Sequence, residues 1–367
     1  LQYYLAPGFA FGSKQLVGLA DVRYKLFPGG FIPRLTVGVS AKTANFDYNW
    51  ADDYYSKYYR VVPQVRAELR DNSSSFRHFL NLRAIFLGKE TAVYEDEVFA
   101  GKMYDKYEIY ELRYEAEQRK LPSPWQLKTA LEWQNGRDEF GRSGEYLRGS
   151  LEWRQRFFYT SKRKVTMRVF AGSFLQNARR NSDINAGDPA LASFALNPQG
   201  FNDYRFDEVY FDRSGTSGFL ARQVSQTEGG FKGAFGAQFA RQIGNSNNYI
   251  LALNLKADLP QRLPLGIPLL PWFDIGYFDD ATPLGEDRPK SEQLLWSGGL
   301  MLELLDGRLE IYFPLVNSKA LKDRYFEAGG GSNNSAIFGG GNYLKWISWS
   351  IRLGNAGPAE ILEDIVR

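Results

Sequence analysis

Apolar and polar residues alternate with a period of two along most of this chain. In Leu16–Leu26, Leu16, Gly18, Ala20, Val22, Tyr24 and Leu26 fall on one face, and Asp21, Arg23 and Lys25 on the other. Leu35, Val37, Val39 and Ala41 then alternate with Arg34, Thr36, Ser40 and Lys42, and Val61, Pro63, Val65, Ala67 and Leu69 with Gln64, Arg66, Glu68 and Arg70. Tyr110, Leu112, Tyr114 and Ala116 alternate likewise with Glu111, Arg113, Glu115 and Glu117. A period of two is the pleat of a strand, so these segments predict strands with one charge-free face. The pattern recurs in Trp125–Gln134, Tyr146–Arg156, Val165–Gly172, Phe231–Arg241, Tyr249–Ala257, Leu309–Leu315 and Tyr343–Leu353. Helical spacing occurs nowhere at comparable length.

The predicted strands are 1–10, 15–26, 32–46, 57–70, 76–87, 104–118, 125–135, 145–157, 163–173, 217–225, 229–242, 248–258, 269–278, 293–304, 308–315 and 343–353, sixteen in all. Pro63 removes a ladder donor in mid-strand and predicts a local bulge. Every second connection is tight, as at Pro28-Gly29-Gly30, Asp71–Ser74, Lys120–Pro124, Tyr159–Lys162, Thr227-Glu228 and Asp306-Gly307. The connections between them are mostly longer, notably 174–216, 316–342 and 88–103. Short turns at one rim, long loops at the other and an even strand count describe a bacterial outer-membrane barrel. The expectation is an all-β, closed antiparallel transmembrane β-barrel of about sixteen strands over 1–353, with a periplasmic tail at 354–367. Both termini are then periplasmic, the three long loops are outside, and residues 1–10 close the sheet against Tyr343–Leu353. One pair of connections runs against this: the roughly ten-residue 259–268 must be periplasmic and the short Gln242–Asn247 outside.

Composition changes the picture only at the margins. Mean hydropathy is −0.40, with 44% hydrophobic and 24% charged residues, but alternating strands cancel in such averages. Aromatics make up 16%, which suits strands and membrane interfaces. No run of about eighteen apolar residues offers a transmembrane helix. The chain of 367 residues has no Cys, one His and a formal net charge of +3, so thiolate metal sites and a nucleic-acid footprint are not expected. It begins at Leu1, which reads as a processed or partial product. A soluble β-sandwich, jelly roll or propeller with glycan-binding activity is the alternative architecture. Strands near ten residues fit a tilted membrane crossing better than sandwich strands, which average five or six.

The polar face carries charges of both signs. Asp21, Arg23, Arg66, Glu68, Arg70, Glu111, Arg113, Glu115, Glu132, Arg148, Glu152 and Arg154, with Arg83 and Lys128, predict an interleaved lumen lattice that braces a plugged or narrowed bore. Leu35, Val37, Val65, Leu112, Leu253, Ile311, Trp349 and Ile351 are the expected lipid-facing positions. His78 falls on the apolar face near a short turn and reads as an interfacial ring, since no second His or Cys can join it at a metal. Glu111 and Glu115 share a face as a glycosidase pair would, yet the basic residue between them fits the lattice better. Asn45–Tyr59, with five Tyr, one Trp and three Asp, is either a recognition surface or an outer aromatic girdle. Asp183 and Asp188 offer only a weak calcium set. Gly229–Gly236 has phosphate-loop spacing but continues an alternating strand and precedes no helix.

Phe11-Gly-Ser-Lys-Gln-Leu-Val-Gly18, Tyr24–Gly30, Arg34–Lys42, Phe273-Asp-Ile-Gly-Tyr-Phe278 and Glu310-Ile-Tyr-Phe-Pro-Leu315 resemble the C-terminal outer-membrane barrel attached to certain bacterial zinc metallopeptidases of the aminopeptidase N (gluzincin) class. The resemblance implies a peptidase domain ahead of the barrel that binds zinc through His-Glu-x-x-His. With His78 as its single histidine, this chain holds no such motif, and no catalytic residue carries over. The resulting expectation is a non-enzymatic membrane anchor or assembly partner without cofactors, for an activity located outside this chain. Its partners would be the bilayer, lipopolysaccharide and a fused or bound periplasmic or surface protein. An outer-membrane channel is the competing function.

Overall fold

The computed structural model describes residues 1–10, 15–49, 54–69, 75–95, 98–120, 122–137, 143–178, 193–196, 203–206, 219–233, 243–259, 268–279, 293–322, 343 and 346–352. Fourteen strands form one antiparallel sheet. They are β1 (Gln2–Ala10), β2 (Gln15–Leu26), β3 (Arg34–Asn49), β4 (Tyr54–Leu69), β5 (Phe76–Glu95), β6 (Val98–Gln118), β7 (Trp125–Arg137), β8 (Tyr146–Phe158), β9 (Lys164–Asn177), β12 (Tyr249–Ala257), β13 (Leu269–Phe278), β14 (Leu294–Leu304), β15 (Leu309–Asn317) and β16 (Ser348–Ile351). The remaining two, β10 (Phe194–Ala195) and β11 (Asn245–Ser246), pair only with each other. Each strand of the large sheet hydrogen-bonds to its sequence neighbour, except that β9 pairs directly with β12.

The all-β class and the strand alternation match the sequence pattern; among the described residues the sheet has fourteen strands, against about sixteen expected. The described parts of the predicted strands 217–225 and 229–242 form no ladder of the sheet; 219–225 touches it only through one bridge at the β16 edge. The side chains show why: adjacent Phe231 and Lys232 are both buried, whereas a half-exposed strand buries only alternate residues. Among the described residues the count stays even, and the one inconsistency in the connections is relieved. The 258–268 link now falls at the short-turn rim, and 242–247 belongs to a long insert, 178–248, that leaves from the loop rim.

Two further boundaries and one expected bulge differ from expectation. Residues 88–103 are mostly strand, because the β5–β6 ladder continues from Leu87↔Tyr107 to Glu95↔Val98. The last strand shrinks from 343–353 to Ser348–Ile351, since Trp346 N–H turns back onto the Tyr343 carbonyl. Pro63 produces no bulge: the β4–β5 ladder lapses at Val62 and Pro63 and resumes at Gln64↔Arg83 in the register it held at Val61↔Phe86. Losing one N–H donor interrupts the ladder without adding a residue to it.

Apart from 219–223, which reach the β16 edge, the described parts of the insert pack on one face of the sheet, which we call the inner face. Phe194, Leu196, Phe231 and Ile243 of the insert cluster with Tyr146, Phe170, Phe174, Ile250, Ala252, Phe278 and Leu295 of the wall. Tyr204 and Phe206 join Tyr58, Val62, Ile85, Leu87, Tyr107 and Ile109 on the opposite stretch of wall. Those inward apolar residues were not among the charges of the expected lattice, and the insert packs against them.

Candidate functional site

Glycines on the wall and in the insert allow the two to approach closely. A Cβ at Gly172 of β9 would come within 2.8 Å of the Phe194 ring, and one at Gly276 of β13 within 2.6 Å of Leu196. In the insert, Glu228 and Gly229 form a tight turn with φ of 51° and 81°, closed by Gly230 N–H donating to the Thr227 carbonyl at 2.8 Å. Gly229 both supplies the left-handed conformation and leaves room, since its Cβ would meet Ala252 at 2.6 Å.

Polar contacts lock the same surfaces together. The Tyr204 hydroxyl donates to Glu132 Oε2 at 2.5 Å and accepts from Arg148 Nη2 at 3.1 Å. Arg148 in turn donates to Glu132 Oε1 at 3.0 Å, and Tyr146 OH also donates to Glu132. Arg60 donates to the Tyr204 carbonyl. Asp203 accepts from Arg205 Nε at 3.0 Å, and Arg205 also pairs with Glu228. Burial works to raise the Asp203 carboxyl, but the Arg205 guanidinium outweighs it and holds the group below the usual carboxylate range. For Tyr204, burial and then Glu132 push the hydroxyl well above the usual phenol range, so it remains a donor.

On the other wall, the Lys232 backbone N–H and Nζ donate to the two oxygens of Asp274 at 2.8 and 2.7 Å. Burial lowers the Lys232 ammonium below the usual lysine range, against the pull of Asp274. Arg168 donates to the Gly230 carbonyl at 2.7 Å, and Gln226 to Glu310 at 2.6 Å. Glu310 also holds Lys256 at 2.9 Å and Arg352 at 3.1 Å. Between insert and wall, a cavity of about 40 Å³ borders Arg113, Glu132, Arg148, Tyr204 and Glu228, roughly the space of one water molecule.

The described residues of the sequence-predicted lattice stand on the inner face. Asp21 pairs with Arg23 at 2.8 Å, Arg66 with Glu115 at 3.1 Å, and Glu152 with Arg154 at 2.7 Å. Glu111 accepts from Arg83 at 2.7 Å and Arg113 at 3.0 Å, and Glu68 lies 3.7 Å from Arg34. Glu111 and Glu115 are thus each engaged by arginines. Arg70, Asp183 and Asp188 lie outside the described residues. Sequence reasoning missed Asp203, Tyr204, Arg205 and Gln226, which lie in or between predicted connections, and Lys232, which read as one residue of the alternating strand 229–242. It also passed over Asp274, Lys256 and Glu310, whose inward parity was readable.

On the outer face, Val37, Val65 and Leu112 are exposed, and Leu35, Leu253, Ile311 and Ile351 are partly exposed. Val37, Val65 and Leu112 border an apolar groove of about 480 Å³. Trp349 differs: at 5% exposure it is buried. Residues 219–224 run along the free edge of β16, with a parallel bridge from Gln223 and Val224 N–H donating to the Trp349 carbonyl at 2.8 Å. Phe219 stacks on the indole at 5.9 Å and accepts its Nε1–H at 2.8 Å. Among the described residues, no ladder joins β1 to β16; this part of the β16 edge carries the insert. His78 lies on the outer face with its Nδ1 against the Tyr114 hydroxyl, and Phe76 is edge-on to it at 4.0 Å. Tyr58, within the proposed recognition segment, instead turns inward and stacks on Phe206 at 5.0 Å. Among the described residues no His, Cys, Asp and Glu group is arranged to hold a metal ion.

No family model matches the chain, and no curated protein matches it. Among solved structures, it is similar to CdiB from Escherichia coli (15% identity, TM-score 0.40), covering 85% of this chain and 51% of that one. It is similar also to CdiB from Acinetobacter baumannii (11%, TM-score 0.36), covering 86% of this chain and 50% of that one. The outer membrane transporter YddB from Escherichia coli matches at 9% identity and TM-score 0.34, over 81% of this chain and 37% of that one. The chain spans about half the length of the CdiB structures.

Proposed function

We propose that this chain is an outer-membrane β-barrel whose bore is closed by its own insert, and that it acts as a membrane anchor or assembly partner for an activity outside the chain. The observation that carries the reading is the insert seated against both stretches of the inner wall, through Tyr204 on one side and Lys232 on the other. The charge-free positions of the outer face suit lipid, and apart from the four-residue β16 the strands of the sheet, nine residues or longer, suffice to cross a bilayer at a tilt. The short-turn rim, with both chain ends of the sheet, is assigned to the periplasm. A periplasmic or surface protein, with the metallopeptidase class of the resemblance as one identity, is the proposed partner, and lipopolysaccharide the outer-leaflet neighbour.

A gated channel is the second reading, favoured by the polar character of the insert's anchoring contacts, which can exchange with water more readily than an apolar core. Conductance in planar bilayers separates the two. The full-length protein is expected to hold the bilayer silent. A stable, salt-proportional current from the unmodified chain would overturn the anchor reading in favour of the channel.

A further inference from the structure

The lumen lattice is nearly balanced in charge, but its two signs are not equally accessible. In pair after pair on the inner face, the carboxylate lies against the wall and the guanidinium is outermost. Side-chain exposures are 52% for Arg34 against 9% for Glu68, 42% for Arg66 against 13% for Glu115, and 39% for Arg154 against 11% for Glu152. Arg113 and Glu111 show the same order at 30% and 1%. The short carboxylate arms stay near the backbone, whereas the long arginine arms reach over them. A guanidinium has five N–H donors in a fixed fork, and a single carboxylate takes at most two of them.

These arginines share one region. The insert covers the loop-rim half of β4–β8, where Tyr58, Ile85, Ile109 and Arg148 touch it; Arg34, Arg66 and Arg154 occupy the half nearer the short turns, and Arg113 stands at the boundary, beside the cavity the insert lines. Arg66 is also held in place, lying over the Phe79 ring at 4.5 Å while bonded to Glu115. The register Arg66↔Asn81↔Arg113 sets two of these arginines two strands apart, roughly 10 Å at the usual strand spacing. One carboxylate cannot bridge that gap. A chain carrying several can.

We infer that the turn-rim half of the inner face is a binding surface for an acidic polypeptide segment, whose carboxylates meet the outward edges of Arg34, Arg66, Arg113 and Arg154. The wall's own pairs already show guanidinium matched to carboxylate. The partner repeats that chemistry from the open side, with an affinity that falls as salt rises. This goes beyond the anchor reading and does not depend on it, because the surface exists in a detergent-solubilised protein whether or not the bore conducts.

The test is fluorescence anisotropy of a labelled deca-glutamate peptide titrated with the full-length protein in neutral detergent. Binding is expected, weakening between about 50 and 200 mM salt, with none for labelled deca-lysine. R34Q/R66Q/R154Q should weaken binding about tenfold or more, since each substitution removes charge-assisted donors. R34K/R66K/R154K retains the charge without the fork and should fall between the two, so a folding defect in the first variant does not decide the outcome. K102Q, on the outer face near the other rim, should bind as the parent does. Equal binding of deca-lysine, or unchanged affinity in both triple variants, would overturn the inference. Competition by inorganic phosphate at the same concentration as the peptide would overturn it in favour of isolated single-anion sites.

Discussion

Val65 and Gln64 are neighbours in β4 whose side chains leave opposite faces of the sheet, Val65 exposed on the outer face and Gln64 turned inward. If the outer face meets lipid, Val65→Arg costs roughly 2–4 kcal/mol near mid-bilayer, while Gln64→Arg is tolerated among the inner charges. Urea titration of the protein in lipid vesicles measures both, and equal costs would remove the case for a lipid-facing surface. In the insert, Tyr204→Phe removes the hydroxyl that joins Glu132 to Arg148 and is expected to loosen the 203–206 segment by roughly 1–3 kcal/mol. Asp203 adds a pH dependence. Because its carboxyl titrates below the usual value, its contribution is complete above the unfolded pKa of about 4 and is lost as pH falls through the lower folded value. Protease sensitivity of the insert should therefore rise under acid below that point and stay flat between neutrality and pH ~5. Sensitivity that rises on the alkaline side instead would exclude this pair as its cause.

Among the elements, the contact between β9, β13 and the insert depends on absent side chains. Gly172→Val and Gly276→Val place methyl groups where Phe194 and Leu196 now lie, and overpacking of this kind typically costs about 1–3 kcal/mol. The ladders of β9 with β8 and β12 do not depend on that space, so the expected result is displacement of the insert with the sheet intact. Bilayer recordings should then show current from these variants where the parent is silent. Silent variants with unaltered protease resistance would mean the insert is held by its polar contacts alone. The hairpins offer a test of sidedness: Lys102→Cys near the tip of β5–β6 should react with an impermeant maleimide on intact cells, and Gly29→Cys at a short turn should not. The chain has no cysteine of its own to confuse the result. The reverse labelling would invert the proposed topology.

At the scale of the whole molecule, the outer face sets the medium the protein requires. Exposed Leu5, Val22, Leu82, Leu131, Trp153 and Leu251 lie on six different strands, and so broad an apolar surface is unusual for a protein surrounded by water. The chain should stay with the membrane fraction on washing in high salt and enter solution only with detergent. Recovery as a monodisperse species in plain buffer would favour the soluble β-protein instead.

The alternation along the chain determined the all-β class and the face on which most strand residues stand, because the pleat is a local property that two or three residues already express; the tight alternate connections determined the antiparallel order. The alternation placed Asp21, Arg23, Glu152 and Arg154 together on the polar face, and Val37, Val65 and Leu112 on the other. It was silent on what occupies the inner face. Phe231 and Lys232 read as part of another strand until their common burial shows them wedged against β13, and Trp349 read as outward-facing until Phe219 is found stacked on it. Tyr204 meets Glu132 across 72 residues of chain and Lys232 meets Asp274 across 42. Such contacts form only once the sheet has brought its strands together, and a period of two carries no information about which distant segment will fill the space they enclose.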